Sequence, residues 1–167
     1  MAIVVEDGTG KATANAYASA AEADAYFTER GVVSWTGASG VKEAALIRAT
    51  DYIETRFAHK FKGEPEFPDV PQALSFPRTG IDDYTGVPVC LKKATYEYAN
   101  RALVGPLAPD PVMDSTNRPL QGKRTKVGPI ETELQYGAGA AAAAFRPYPA
   151  ADALLRPLLA YSGGVTR

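Results

Sequence analysis

The stretch from Lys42 to Phe57 constrains this chain more than any other. Leu46, Ala49, Ile53 and Phe57 recur at helical spacing and line one face, while Lys42, Glu43, Asp51 and Glu54 lie largely off it. The pattern predicts a core helix over 41–58, closed soon after by Phe61-Lys-Gly63. The helix carries no catalytic group in a reactive setting, so the feature points to a structural part rather than to chemistry.

The rest of the chain is organised around this helix. Residues 1–18 are mixed and small and read as an extended arm. Ser19-Ala-Ala-Glu22 has the form of a capping box, in which a Ser hydroxyl takes a first-turn amide and the Glu reaches back. A short helix is expected through Tyr26 and Phe27, ending at Gly31, with Trp35 as a hydrophobic plug before the long helix. Residues 63–88 hold Pro65, Pro68, Pro71, Pro77 and Pro88, which forbid a continuous helix or a central strand. Phe67, Leu74, Phe76 and Ile81 would anchor this loop.

A third helix is predicted from about Pro88 to Val104, with Leu91, Ala94, Tyr98 and Ala102 as its stripe and Gly105-Pro106 as its stop. Further on the period changes to two. Ile130, Thr132, Leu134 and Tyr136 alternate with Glu131, Glu133 and Gln135, which predicts a strand with a partner near 122–127. A low-complexity Gly/Ala run follows from Gly137 to Ala144, and a short helix begins near Tyr148.

The reading is therefore mainly α. It is a small bundle of about four helices with long irregular loops, a β-hairpin near 122–136 and extended terminal arms. Its parts are an arm over 1–18, a helical core over 19–105, a loop, hairpin and connector over 106–147, and a C-terminal helix and tail over 148–167. The expected core is Tyr26, Phe27, Trp35, Leu46, Ala49, Ile53, Phe57, Leu91, Ala94 and Tyr98.

At 167 residues one domain can bury roughly 68–70% of its unfolded surface, so no covalent staple is needed. The single cysteine, Cys90, cannot form an internal disulfide, and a reducing cytoplasm is acceptable. No apolar run approaches the roughly 18–20 residues of a membrane span, and no basic region precedes the short N-terminal apolar patch, so neither a membrane nor a secretory signal is expected.

The chain offers little catalytic chemistry. His59 is the only histidine, and any Ser-His or Cys-His mechanism must pass through it. Cys90, in the first turn of the third helix, occupies a position that can lower a thiol pKa, but its neighbours Val89 and Leu91 favour a packed residue. One His and one Cys cannot build the usual nitrogen/sulfur metal set, and Asp82-Asp83 reads as a solvated turn. Gly8-Thr-Gly-Lys11 fails as a phosphate loop, having Val5 where a Gly is required and Ala12 where Ser or Thr is required. No catalytic residue, metal or cofactor is expected.

The net charge of −1 gives no global attraction to nucleic acid. Arg118, Lys123, Arg124 and Lys126 nevertheless form a basic run without an acid, and such a loop tip can face phosphate. Leu154, Leu155, Leu158, Leu159 and Tyr161 are too apolar for solvent and are either core or an interface.

In this order, several segments resemble a family of tailed-bacteriophage neck proteins. They are Val5-Glu-Asp-Gly-Thr-Gly10, Asn15 with Tyr17, Ala23-Asp-Ala-Tyr-Phe27, Arg30-Gly31, Trp35 and Lys42 to Arg56. Further along come Phe61-Lys-Gly63, Gln72-Ala-Leu-Ser-Phe-Pro-Arg78, Pro88 to Leu103, Lys126-Val-Gly-Pro-Ile-Glu131 and Tyr148 to Leu159.

Members of that family are often labelled DnaT-like single-stranded DNA-binding proteins, and they also resemble head–tail adaptors that dock beneath the portal. The adaptor likeness implies a ring, commonly dodecameric, assembled in the bacterial host cytoplasm and residing in the virion neck. Its partners would be the portal protein, neighbouring copies and a downstream neck or tail protein. The C-terminal leucines and Tyr161 would be a partner interface, and the basic run would face lumen DNA. The label implies instead a single-stranded DNA-binding protein of phage replication. The adaptor is the expectation here and DNA binding its alternative.

Overall fold

The computed structural model describes residues 2–68, 71–81, 84–110, 122–127, 130–135 and 146–160. It divides into two compact units, residues 1–107 with 147–167, and residues 108–146.

The first unit is helical. Helix α1 spans Ala20–Glu29, α2 Ser39–Phe57, α3 Val89–Val104 and α4 Pro149–Leu155, with single 3-10 turns at Ala58–Lys60 and Arg156–Leu158. A two-residue ribbon pairs β1 (Glu64–Pro65) with β2 (Arg78–Thr79). Helix α2 packs chiefly on α3, and α3 on α4.

Each helix end has a local cause. At α1 the Ser19 hydroxyl accepts the Glu22 amide at 3.3 Å, while the Glu22 carboxylate takes the Ser19 amide at 2.8 Å, which completes the capping box. At its far end the Val32 amide reaches Phe27 O at 3.0 Å and the Gly31 amide reaches Thr28 O at 3.1 Å, a Schellman closure. Helix α2 starts two residues earlier than its apolar pattern suggests, because a polar first turn adds nothing to the stripe. Pro88 stands just outside α3 and Gly105 caps it.

The core follows the helical stripes. Phe27, Trp35, Leu46, Ala49, Ile53, Phe57, Leu91, Ala94 and Tyr98 are all buried. Tyr26 is a correction: it is half-buried, on the flank of an α1 face that buries Ala23 and Phe27 one turn apart. Its hydroxyl donates to Glu97 at 3.1 Å and its ring carries the Arg30 guanidinium at 3.6 Å.

Two further expectations are corrected. Residues 2–18 lack helix, as expected of an arm, yet they fold back onto the body: Glu6, Ala14, Ala16, Tyr17 and Ala18 are buried. Tyr17 explains the anchoring. Its hydroxyl donates to Glu54 on α2 and accepts the Phe76 amide at 3.3 Å. Glu54 also takes the Ser75 amide and hydroxyl at 3.2 and 2.6 Å, so one carboxylate fastens both the N-terminal segment and the proline-rich loop to α2. Burial, then the nearby Glu54 charge, pushes the Tyr17 phenol well above its ordinary value, which keeps it a donor.

The C-terminal leucines are the second case. Leu155 and Leu158 are fully buried and belong to the core, so they are not free for a partner. Leu154 and Leu159 are half-buried, and Tyr161 lies outside the described residues. The segment docks because Asp152 accepts from Arg56 at 3.1 Å, from Tyr98 and from the Tyr148 amide at 3.1 Å. The buried Tyr148 hydroxyl donates to Leu107 O at 3.0 Å.

The second unit holds the expected hairpin. Strand β3 (Gly122–Val127) pairs antiparallel with β4 (Ile130–Gln135), and Val127 stands opposite Ile130. Among the described residues the fold is mainly α, with four helices and a small two-stranded hairpin.

Candidate nucleic-acid interface

A surface that holds a phosphate chain needs positive charge not already neutralised by the protein itself. The basic run in the sequence fares poorly on this criterion. The hairpin register sets Arg124 opposite Glu133 and Lys126 opposite Glu131, leaving only Lys123 opposite an uncharged residue, Leu134. Opposite charges facing across a strand pair stabilise the ribbon by roughly 0.2–1 kcal/mol and reduce its outward field. Arg118 lies outside the described residues.

In the helical unit half of the described cations have carboxylate partners. Lys11 pairs with Asp7, Arg30 with Glu29, Lys42 with Asp24, Arg56 with Asp152, Lys92 with Glu22 and Arg101 with Glu97. Arg48, Lys60, Lys62, Arg78, Lys93 and Arg156 have no carboxylate partner among the described residues, and the fold gathers four of them, Lys60, Lys62, Arg78 and Arg156, at one corner.

That corner is built from chain segments far apart in sequence. Phe61 bridges Leu159 antiparallel, the Lys62 amide donates to Leu158 O at 2.9 Å, and the Ala160 amide donates to Lys60 O at 2.7 Å. Lys62 Nζ reaches Pro157 O at 3.0 Å. The Arg78 guanidinium donates to main-chain oxygens, with Nε 2.8 Å from Lys62 O and a second nitrogen 2.5 Å from Gly63 O. Its charge is thereby fixed in place without being cancelled. Gly63 makes this possible: it sits at φ 71°, and a Cβ there would lie 2.0 Å from Thr79 O. In the β1–β2 ribbon Glu64 is opposite Thr79 and Pro65 opposite Arg78, so the pleat sets Glu64 on the other face from Arg78. His59, Lys60, Lys62 and Arg156 are exposed, and Arg78 is half-buried.

Along residues 1–167 the chain matches the family described as "Putative DnaT-like ssDNA binding protein". The chain belongs to that family. No curated protein and no solved structure matches it.

For a member of a DnaT-like family the placement of the rings matters as much as the cations, since sequence-tolerant binding to single strands commonly uses exposed aromatic platforms. Among the described residues no Phe, Tyr or Trp side chain is exposed: Tyr26, Phe67 and Tyr84 are half-buried and the others are buried. They are joined ring to ring inside the body, as in Phe27 with Trp35 at 5.1 Å between centroids and Tyr52 with Tyr98 at 5.1 Å.

Two further polar features of this family member are internally satisfied. The glycine loop that resembles a phosphate loop does cradle an anion, but the anion is its own Glu6. That buried carboxylate accepts the amides of Gly8 and Gly10, each at 2.9 Å, and of Lys11 at 2.7 Å. A surface depression lined by Asp24, Phe27, Trp35 and Lys42 has its polar groups bonded together, with Asp24 taking Lys42 Nζ at 2.8 Å and Trp35 Nε1 at 2.6 Å. Cys90 is half-buried, and burial raises its thiol pKa, which disfavours the thiolate. His59 is on the exposed turn after α2, within the basic corner. Asp82 and Asp83 lie outside the described residues. Among the described residues no group of three or more His, Cys, Asp or Glu is placed to hold a metal.

The corner was not nominated from the sequence because only part of it is local. His59-Lys60-Phe61-Lys62 is a short acid-free basic run and was the one available signal. Arg78 and Arg156 join it only through the fold.

Proposed function

We propose that this chain binds single-stranded DNA through the phosphate backbone, without reading or stacking bases. Family membership along the entire chain carries the reading. The uncancelled cations of the helical unit and the interior position of its rings support the backbone-directed form. The test is fluorescence anisotropy of a labelled oligothymidylate and a mixed-sequence oligonucleotide over a salt series. Similar affinities for both, falling linearly in logarithm with salt at about −0.7 per phosphate neutralised, are expected. No binding of either strand at low salt refutes the reading.

A second reading has its own support. The ordered segments from Val5 to Leu159 resemble phage neck proteins, and a net charge of −1 with rings packed inside suits an assembly subunit better than a stacking protein. On that reading the chain is a non-enzymatic head–tail adaptor in the virion neck, a ring of copies between portal and the next neck or tail component, with DNA in its lumen. Electron microscopy of the protein mixed with its cognate portal tests it. An added collar supports the adaptor, and a bare portal beside a protein that shifts single-stranded DNA rejects it.

A further inference from the structure

We infer that the corner formed by Lys60, Lys62, Arg78 and Arg156 is where a single strand's phosphates bind, in preference to the basic run of the hairpin. The inference rests on the DNA-binding reading above and assigns it a site.

The argument begins with charge. A cation that already faces a carboxylate gains less from a phosphate, because the pairing must be broken or shared before counterions are released. Arg124 and Lys126 stand opposite Glu133 and Glu131. Among the described residues Lys60 and Arg156 have no such neighbour, the Lys62 side chain bonds the neutral Pro157 carbonyl, and Arg78 donates to main-chain oxygens. The carbonyls orient these donors while leaving their formal charge for an outside anion.

Architecture supports the same surface. The Phe61–Leu159 bridge and its flanking amide bonds fix Lys60, Lys62 and the turn carrying Arg156 relative to one another. Arg78 is fixed to the same strand of chain by its bonds to Lys62 O and Gly63 O. Charges held by folded backbone lose little entropy when a ligand arrives, whereas a free lysine-rich tail would have to be ordered. No Phe, Tyr or Trp ring is exposed at this corner: Phe61 is buried, and the one exposed ring there is the small imidazole of His59. The ligand class is therefore a sugar–phosphate chain of any base sequence. A corner of this size would span only a few phosphates.

The experiment uses the full chain and labelled oligothymidylate. Lys60→Gln/Lys62→Gln/Arg156→Gln changes exposed side chains and leaves Arg78 in place, and its thermal unfolding is compared with wild type as a folding control. Binding at moderate salt is expected to weaken at least about tenfold, and the salt slope to shrink by about two, the share of three phosphate contacts on a single strand. Arg124→Gln/Lys126→Gln is expected to bind within about twofold of wild type, since the register sets those positions opposite Glu133 and Glu131. Unchanged binding by the corner variant with loss in the hairpin variant overturns the site and leaves the DNA-binding reading intact. Absence of binding by wild type overturns both.

Discussion

The two ends of the C-terminal segment dock on the same body and treat charge in opposite ways. At Tyr148–Asp152 the Asp152 carboxylate takes Arg56, Tyr98 and a main-chain amide, and the ion-paired side chains are only 18% and 24% exposed. At Arg156–Ala160 the segment docks through main-chain bonds to Lys60 and Lys62, and the nearby Lys62 and Arg78 side chains meet carbonyls rather than carboxylates. One end is closed, with positive charge balanced where it is partly dry. The other is open, with positive charge placed where water and an outside anion can reach it. Neutralised charge at the first end serves attachment, and unneutralised charge at the second is what a polyanion can use.

The strongest way to break this contrast is to detach the segment altogether. Leu155 is fully buried, and Leu155→Ala should destabilise the protein by about 3 kcal/mol, within the 2–5 kcal/mol that such truncations cost. Urea unfolding checks it, and a change below about 1 kcal/mol would mean that the segment is not part of the core. Next in size is Asp152→Ala, which leaves the Arg56 guanidinium and the Tyr98 hydroxyl without their shared acceptor. A loss of about 2 kcal/mol is expected because the site is only partly dry. DNA affinity of the folded variant should hold, since the open end keeps its own bonds; a parallel fall in both would show that the two ends act as one.

How much of this was legible follows the range of the interactions. The long helix, the capping box at Ser19, the stop at Gly31 and the pairing of 122–127 with the following strand are written in periodicity and in adjacent residues. The burial of Leu155 and Leu158 was ambiguous, because an apolar stripe is the same whether the chain itself or a partner covers it. The folding back of residues 2–18 turned on Tyr17 meeting Glu54 and Phe76, contacts that no local pattern encodes. The basic corner was hidden for the same reason. Arg78 and Arg156 are unremarkable until Gly63 lets β1 close on β2 and Phe61 meets Leu159. The run at 123–126 looked more basic than it is, because its balancing acids lie on the opposite strand.

Smaller effects sharpen the comparison from the open side. Lys60→Gln/Lys62→Gln/Arg156→Gln should shift stability by no more than about 0.5 kcal/mol, the usual range for exposed substitutions, while DNA binding falls. A loss near that of Asp152→Ala would make the open end structural as well.

The smallest expected effect comes from a half-buried pair, more open than Asp152 but closed in the same manner, which separates the influence of pairing from that of dryness. Glu22 accepts Lys92 Nζ at 2.7 Å while also serving the α1 cap. Burial pushes its carboxyl up, but the hydrogen bonds from Lys92 and from the Ser19 amide and hydroxyl outweigh that, so its pKa in the folded protein lies below the ordinary 4.5. A depressed carboxyl contributes stability that is present above its unfolded value and is lost as pH falls through the folded one. Between pH 6 and 3 wild type should therefore lose slightly more stability than Glu22→Gln, by roughly 0.3 kcal/mol, since solvent screens so open a pair. Paired urea titrations at several pH values measure it. Parallel curves would mean that closing a charge matters to this fold only where the pair is drier than this one, as at Asp152.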